Sequence, residues 1–458
     1  MTAAPSTTAP PSRRGDLHAR SSAVIERLAS RERPFAVSGT ITRAVGTLLQ
    51  ARLGDVAIGE LCELTDARSG SRLEAEVLGF SSGEALLAPI GNLAGLSTFT
   101  QVRALGRGME IAVGDAILGR VVDGLCRPAD GRGPLAPTGG ARRPLECEPP
   151  PPMTRQLIAR PMATGIRSVD GCLTCGEGQR IGIYGEPGGG KSTLIAQIVQ
   201  GADADVVVIG LIGERGREAR EFIEHTLDEG SRARTAIVLA TSDRPALERV
   251  KAAQAATAVA EHFRDAGRRV LLIMDSVTRY ARALREIGLA AGEPPTRRGY
   301  PASTFAVLPQ LLERAGPGAE GTITAFYTVL VEGDGTNDPI AEETRGILDG
   351  HLVLSAKLAA ANHYPAVDVL KSRSRVMDAV VDRSHVASAG RIRTLLARYG
   401  ETEFLLRMGE YRPGADAETD EAVSKHPHIA AFLQQARDER TSLAETVAAL
   451  HALSGTAS

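Results

Sequence analysis

The sequence predicts an α/β protein in three parts: a small N-terminal β-barrel, a central domain built on a parallel β-sheet, and a C-terminal helical domain. Three observations predict it. Apolar and polar residues alternate with a period of two from 34 to 102, continuous apolar runs alternate with helical patterns in the middle of the chain, and apolar residues recur at helical spacing near its end. At 458 residues the chain is also too long for one ordinary core.

Taken in order, residues 1–15 are rich in Pro, Ala, Ser and Thr, a composition that buries no core, and Val24, Ile25 and Leu28 suggest a short helix within 16–33; together they read as a flexible extension. In the expected barrel, 34–102, Val37 and Ile41 alternate with Ser38, Thr40 and Thr42, and Leu73, Ala75 and Val77 with Arg72, Glu74 and Glu76. The central domain is expected over 103–384. It includes a Pro-rich joint near 130–152, GRGPLAPTGGARRPLECEPPPP, which reads as a segment no regular element crosses. Beyond the joint, 180–184, 206–212, 236–240 and 270–274 read as buried parallel strands, and Leu194, Ile195, Ile198 and Val199 as the apolar stripe of a helix. In the last part, 385–458, Ile392, Leu395, Leu396 and Tyr399 share one helical face. Ile429, Phe432, Leu433 and Ala436 share another, and the pattern continues through Leu443, Val447 and Leu450.

Composition narrows the function. Lys and Arg number 53 against 55 Asp and Glu, so the basic excess of a nucleic-acid binder is missing and no nucleic-acid partner is expected. Five cysteines, odd in number and sparse, do not make a disulfide framework and point to a reducing compartment. Cys172-x-x-Cys175 has no second pair of ligands at zinc spacing, which favours packing near a turn over a metal site. The N-terminus has no apolar run of signal-peptide kind, and the longest strongly apolar stretch, 206–213, is far too short to span a bilayer. The expected location is cytoplasmic, with any membrane association peripheral.

The strongest chemical signal is Gly185-Glu-Pro-Gly188-Gly189-Gly190-Lys191-Ser192-Thr193, which satisfies G-x-x-x-x-G-K-[ST] between an expected strand and an expected helix. Glycines let several backbone N–H groups converge on phosphate oxygens, and the helix N-terminus adds its positive dipole end. Lys191 is placed to neutralise the β- and γ-phosphates of ATP, and Ser192 to offer its hydroxyl to Mg2+. Asp275 ends the apolar run Val-Leu-Leu-Ile-Met, where a carboxylate orients Mg2+; a plain strand-end cap is the alternative. Glu214 ends another such run. On spacing alone it is either a base for the attacking water or part of a solvated charge cluster opening a helix.

Five segments then carry a resemblance: LIGERGREAREFIE, ATSDRPALERVKAA, MDSVTRYARALREIGLAAGEPPTRRGYP, LPQLLERAG and DGHLVLSAKLA. They are similar to the type III secretion and flagellar export ATPases, relatives of the catalytic subunit of rotary ATP synthases. The resemblance spans nearly the whole chain after the N-terminal extension. Thr174-Cys-Gly-Glu-Gly-Gln-Arg180 resembles the non-flagellar, injectisome members more than the flagellar ones. The resemblance implies a RecA-like fold for the P-loop domain and a role as an ATP-hydrolysing motor of protein secretion. It assigns phosphate and Mg2+ contacts to Lys191, Ser192 and Thr193, the Mg2+-orienting role to Asp275 and the catalytic carboxylate to Glu214. Arg215 and Arg279 match basic positions near the γ-phosphate, and Arg375 an arginine presented to the neighbouring subunit's nucleotide. Tyr364 matches the aromatic that packs on adenine, with Tyr411 closing the same pocket.

The resemblance also implies a hexameric homo-oligomeric ring and a location at the cytoplasmic face of the inner membrane. Its implied partners are a central coiled-coil stalk, a peripheral regulator or stator, chaperone–effector complexes and an export gate. The loop 292–301, with Arg297 and Arg298, is expected to face the stalk. Several positions depart from the family pattern: Gly335, Arg373, Ala356, Cys126, Glu186 and Gly189. Two other readings stand beside this one. One is a flagellar export ATPase or the catalytic subunit of a rotary ATP synthase; the other is a non-catalytic nucleotide-binding scaffold, which an acid at position 214 opposes.

Overall fold

The computed structural model describes residues 37–136, 141–186, 188–225, 227–331 and 338–455; the helix expected within 16–33 and Gly335 lie outside them. The chain divides into two compact units, Met1–Met109 and Glu110–Ser458.

In the first unit six strands close into an antiparallel barrel: β1 Ser38–Val45, β2 Leu48–Arg52, β3 Leu61–Asp66, β4 Arg72–Ser81, β5 Glu84–Ile90 and β6 Thr100–Ala104. Their order around the barrel is β1-β2-β5-β4-β3-β6. Alternation does the work the sequence predicts: Ile41, Leu64, Ala75, Val77 and Leu87 all enter one buried core. The last strand carries the barrel two residues past the boundary expected at 102.

The second unit is organised by a nine-stranded sheet. Eight of its strands are β7 Val121–Val122, β8 Arg180–Gly185, β9 Val206–Glu214, β10 Thr235–Thr241, β11 Arg269–Asp275, β12 Thr322–Leu330, β13 Gly350–Val353 and β14 Arg373–Ser374. They lie in the order β14-β13-β8-β12-β11-β9-β10-β7, with Gly316–Pro317 pairing on β12 off that path. All neighbours along the path are parallel except β13 and β14, which are antiparallel at the sheet edge. Strands covered on both faces read as unbroken apolar runs, and β9 is buried over its whole length.

Eight helices position the site and the C-terminal part: α1 Lys191–Gly201, α2 Gly216–His225, α3 Ala246–Asp265, α4 Val277–Ala290, α5 Pro339–Ile347, α6 Arg383–Met408, α7 Ala417–Leu433 and α8 Leu443–Ser454. The α3 helix packs on β9, β10 and β11, and α6, α7 and α8 pack on one another and on the short helix Arg167–Cys172. Phe432 seals that last contact. A Cβ on Gly171 would sit 3.0 Å from its ring, so the small residue is what lets α7 approach. Cys172 and Cys175 are buried in the same apolar core.

Two expectations are corrected. Ala436 does not share the face of α7, because that helix ends at Leu433 with Gln434 as its C-cap, and Ala436 stands exposed beyond it. The Pro-rich joint does admit a regular element: Arg142–Pro144 pairs antiparallel with Glu110–Ala112. Proline is tolerated there because it closes a three-residue strand with a single neighbour. Among the described residues no helix is long and apolar enough to cross a membrane.

Candidate functional site

Parallel strands end on the same side of a sheet, so β8, β9 and β11 deliver Gly185, Glu214 and Asp275 to one edge. There they border a cleft of about 970 Å³ lined by Lys191, Ser192, Glu214, Asp275, Arg279 and Tyr364, among others. The loop after β8 enters α1 through Gly190, whose φ of 86° is left-handed. A Cβ there would also stand 3.1 Å from the Tyr364 ring, so glycine serves both the turn and the aromatic above it. The first N–H groups of α1 thus open into the cleft without a side-chain cap.

Three charges meet at its floor. Lys191 Nζ donates to Asp275 Oδ1 at 2.5 Å and lies 3.9 Å from Glu214 Oε1. Thr328, on β12 between β8 and β11, donates its hydroxyl to the same Asp275 oxygen at 2.7 Å. Arg279, in the first turn of α4, reaches back to Glu214 Oε2 at 3.3 Å and to the carbonyl of Gly213. Gly213 is where β9 shifts register against β10, with a φ of 70°, and such a bulge re-aims the side chain that follows it. That side chain is Glu214. Burial raises its pKa above the ordinary glutamate value and the charge of Asp275 adds to this, against the opposing pull of Lys191 and Arg279.

The remaining expected residues sort cleanly. Gly188, Gly190 and Thr193 line the cleft, and Arg215 does so from an exposed position, paired with Glu218 at 3.0 Å. Gly189 sits in the same loop, where a Cβ would meet the Glu186 carbonyl at 3.2 Å. Tyr411 is not brought to the cleft. It follows α6, and its hydroxyl donates to Asp420 on α7 at 2.7 Å, which holds it in the helical domain. Arg375 is exposed and outside this cleft, with Nη2 donating to the Arg345 carbonyl at 3.0 Å.

Two residues at the site carry no signal in the motif. Arg437, in the break between α7 and α8, donates to Thr193 Oγ1 at 3.2 Å and lines the cleft. Thr328 is the other; it is one of three threonines in its strand, and nothing in the sequence sets it apart from Thr322 and Thr324. The loop bearing Arg437 is anchored by Gln435, whose side-chain amide donates to the Gly165 carbonyl at 2.7 Å and whose backbone N–H donates to that of Tyr364 at 2.8 Å.

The donor set suits a hard divalent cation. Ser192 presents a hydroxyl, and both side-chain hydrogen bonds to Asp275 fall on Oδ1. No cluster of three His, Cys, Asp or Glu ligands occurs among the described residues. The Ser192 hydroxyl and the Asp275 carboxylate fit a cation such as Mg2+, which takes one or two protein oxygens and completes its shell from water and phosphate.

Residues 165–374 match the ATP synthase alpha/beta family nucleotide-binding domain, residues 41–106 the beta-barrel domain of that family, and residues 381–452 the T3SS EscN ATPase C-terminal domain. The chain is 60% identical over 411 residues to the type 3 secretion system ATPase of Sinorhizobium fredii, covering 90% of this chain and 91% of that one. Its fold is similar to that of the assembled ATPase EscN from the type III secretion system of enteropathogenic E. coli. The TM-score is 0.87 at 46% identity, over 91% of this chain and 100% of EscN. The same ATPase in complex with its central stalk EscO matches with a TM-score of 0.84, at the same identity and coverage.

Proposed function

Because the chain belongs to the type III secretion ATPases of the ATP synthase alpha/beta family, we infer that it is the ATP-hydrolysing motor of a type III protein-secretion system. One observation carries the site assignment: Lys191, Glu214 and Asp275 converge in a single cleft at the mouth of a glycine loop and a helix N-terminus. The loop N–H groups and Lys191 hold the β- and γ-phosphates of ATP, which requires the Lys191–Asp275 bond to give way to substrate. Ser192 and Asp275 hold Mg2+, which when bound neutralises charge on the phosphates. Tyr364 packs on the adenine. Glu214 orients the attacking water and accepts its proton as the new oxygen–phosphorus bond forms. The bond from the γ-phosphorus to the β–γ bridging oxygen breaks, and ADP leaves with that electron pair. Arg279 positions Glu214, and Arg215 faces the γ-phosphate from the cleft wall.

Arg375, exposed and outside its own cleft, completes the site of an adjacent copy in a hexameric ring. The assembled form of the similar EscN supports this reading. By the same reading a central coiled-coil stalk enters the ring beside the loop 292–301. A peripheral stator, chaperone–effector complexes and an export gate at the inner membrane are the further partners.

The test is steady-state ATP hydrolysis by the purified chain over a wide range of protein concentration, with Glu214→Gln and Arg375→Ala alongside. Specific activity should rise with concentration, and both substitutions should abolish it. Nucleotide binding without turnover at any concentration would defeat the self-sufficient motor and point to an obligate, non-identical partner.

A further inference from the structure

The edge of the sheet carries a pattern the site has not used. Residues 372–375 read Ser-Arg-Ser-Arg, and along an extended strand successive side chains point to opposite faces. Both serines point inward. Ser372 Oγ donates to the Asp368 carbonyl at 2.6 Å and accepts from the backbone N–H of Val353, and Ser374 Oγ donates to the Thr174 carbonyl at 2.8 Å. Arg373 and Arg375 therefore share the opposite, exposed face.

Register adds to this. Arg373 lies directly across from His351, and His351 directly across from Gly182, so all three occupy one face of the sheet edge. Tyr184 folds back over Gly182 on that face and stands edge-on to His351, with the guanidinium of Arg345 4.8 Å from the centre of its ring. Burial lowers the His351 pKa, and the charges of Arg345, Arg375 and Arg373 lower it further, against the hydrogen bond of its Nε2 with the Lys371 carbonyl at 3.1 Å. Arg373 has no acidic partner among the described residues.

We propose that Arg373 is a second catalytic arginine delivered in trans: beside Arg375 it contacts the terminal phosphate of the ATP held by the adjacent copy. Two like charges side by side on an exposed strand repel one another unless an anion lies between them, and a polyphosphate accepts several guanidinium donors at once. The proposal rests on the reading that Arg375 acts across a subunit boundary.

The experiment compares Arg373→Ala, Arg373→Lys and Arg375→Ala in steady-state ATP hydrolysis, with oligomeric state measured by sedimentation. Each alanine variant is also mixed with Glu214→Gln, which lacks the base but keeps both arginines. Arg373→Ala is expected to lower kcat on the order of tenfold or more, with Arg373→Lys between it and the parent. Assembly should be unchanged, and part of the activity should return on mixing, because the intact cleft of the alanine variant then borrows arginines from its neighbour. Parental activity in Arg373→Ala with Arg375→Ala inactive would overturn the proposal and leave the trans reading of Arg375 standing. So would recovery on mixing for Arg375→Ala but not for Arg373→Ala, or loss of assembly in Arg373→Ala. Full activity in both alanine variants would remove the trans reading as well.

Discussion

Glu214 is held by opposing demands. It must be charged to accept a proton, yet burial and the nearby Asp275 favour its neutral form, and Lys191 and Arg279 only partly offset them. With its folded pKa raised, the acid limb of the pH–rate profile of kcat/KM should fall above the ordinary glutamate value. A limb at or below that value would show that Glu214 is not the base. The sign for stability runs opposite to that for activity. A carboxyl that holds its proton more tightly in the folded than in the unfolded state loses stability as pH rises through the interval between the two values, and the full cost is present above both. Glu214→Gln should therefore lose activity on the order of 10²–10⁴-fold while melting no lower than the parent at neutral pH. A melting temperature that falls together with activity would make Glu214 structural. At this scale the sequence was informative wherever a charge terminates an apolar run, as Glu214 and Asp275 do. It was silent on Thr328 and Arg437, because each acts on a residue far away in the chain: 53 positions separate Thr328 from Asp275, and 244 separate Arg437 from Thr193.

Among the elements, α3 is held by an ion pair that the apolar pattern does not announce. Arg314 donates to both oxygens of Glu261, at 2.9 and 2.7 Å, and to the Leu145 carbonyl, also at 2.7 Å. The side chains are 3% and 2% exposed. One guanidinium thus joins α3 to the residues just after the short strand Arg142–Pro144, which gives the Pro-rich segment a fixed course. Removing one partner leaves a desolvated charge, so Glu261→Ala should destabilise the protein by about 3–5 kcal/mol. Urea denaturation is the check; a change within about 0.5 kcal/mol, typical of surface substitutions, would show that the remaining arginine finds water or another partner. Helix existence was legible from periodicity, but the end of α7 was not, since Ala436 keeps the apolar spacing after the backbone has left the helix at Gln434.

For the whole molecule, the loop 292–301 separates two arginines that the sequence treats alike. Arg297 pairs with Glu342 at 3.0 Å and lies over the Phe305 ring, whereas Arg298 has a left-handed φ of 45° and no ion pair among the described residues. If a stalk enters the ring at this loop, Arg298→Glu should abolish stimulation of ATP hydrolysis by the stalk protein and leave the unstimulated rate unchanged. Arg297→Glu should lower both, because it also places two acids together at Glu342. Equal stimulation of the parent and Arg298→Glu would remove this loop from the stalk contact.

The sequence by itself determined the kinds of element, the order of barrel, sheet and helical part, the phosphate loop, and the resemblance that the 60% identity bears out. Each of these is local: a period of two or 3.6, or a glycine motif between a strand and a helix, is complete within a few residues. Only the tertiary structure decided that β12 lies between β8 and β11, that Tyr411 is committed to Asp420 rather than to the cleft, and that both arginines of Ser-Arg-Ser-Arg face outward. Those outcomes depend on which distant segments pack together. A local pattern is compatible with many such pairings, and burial and hydrogen bonding across the finished core select one.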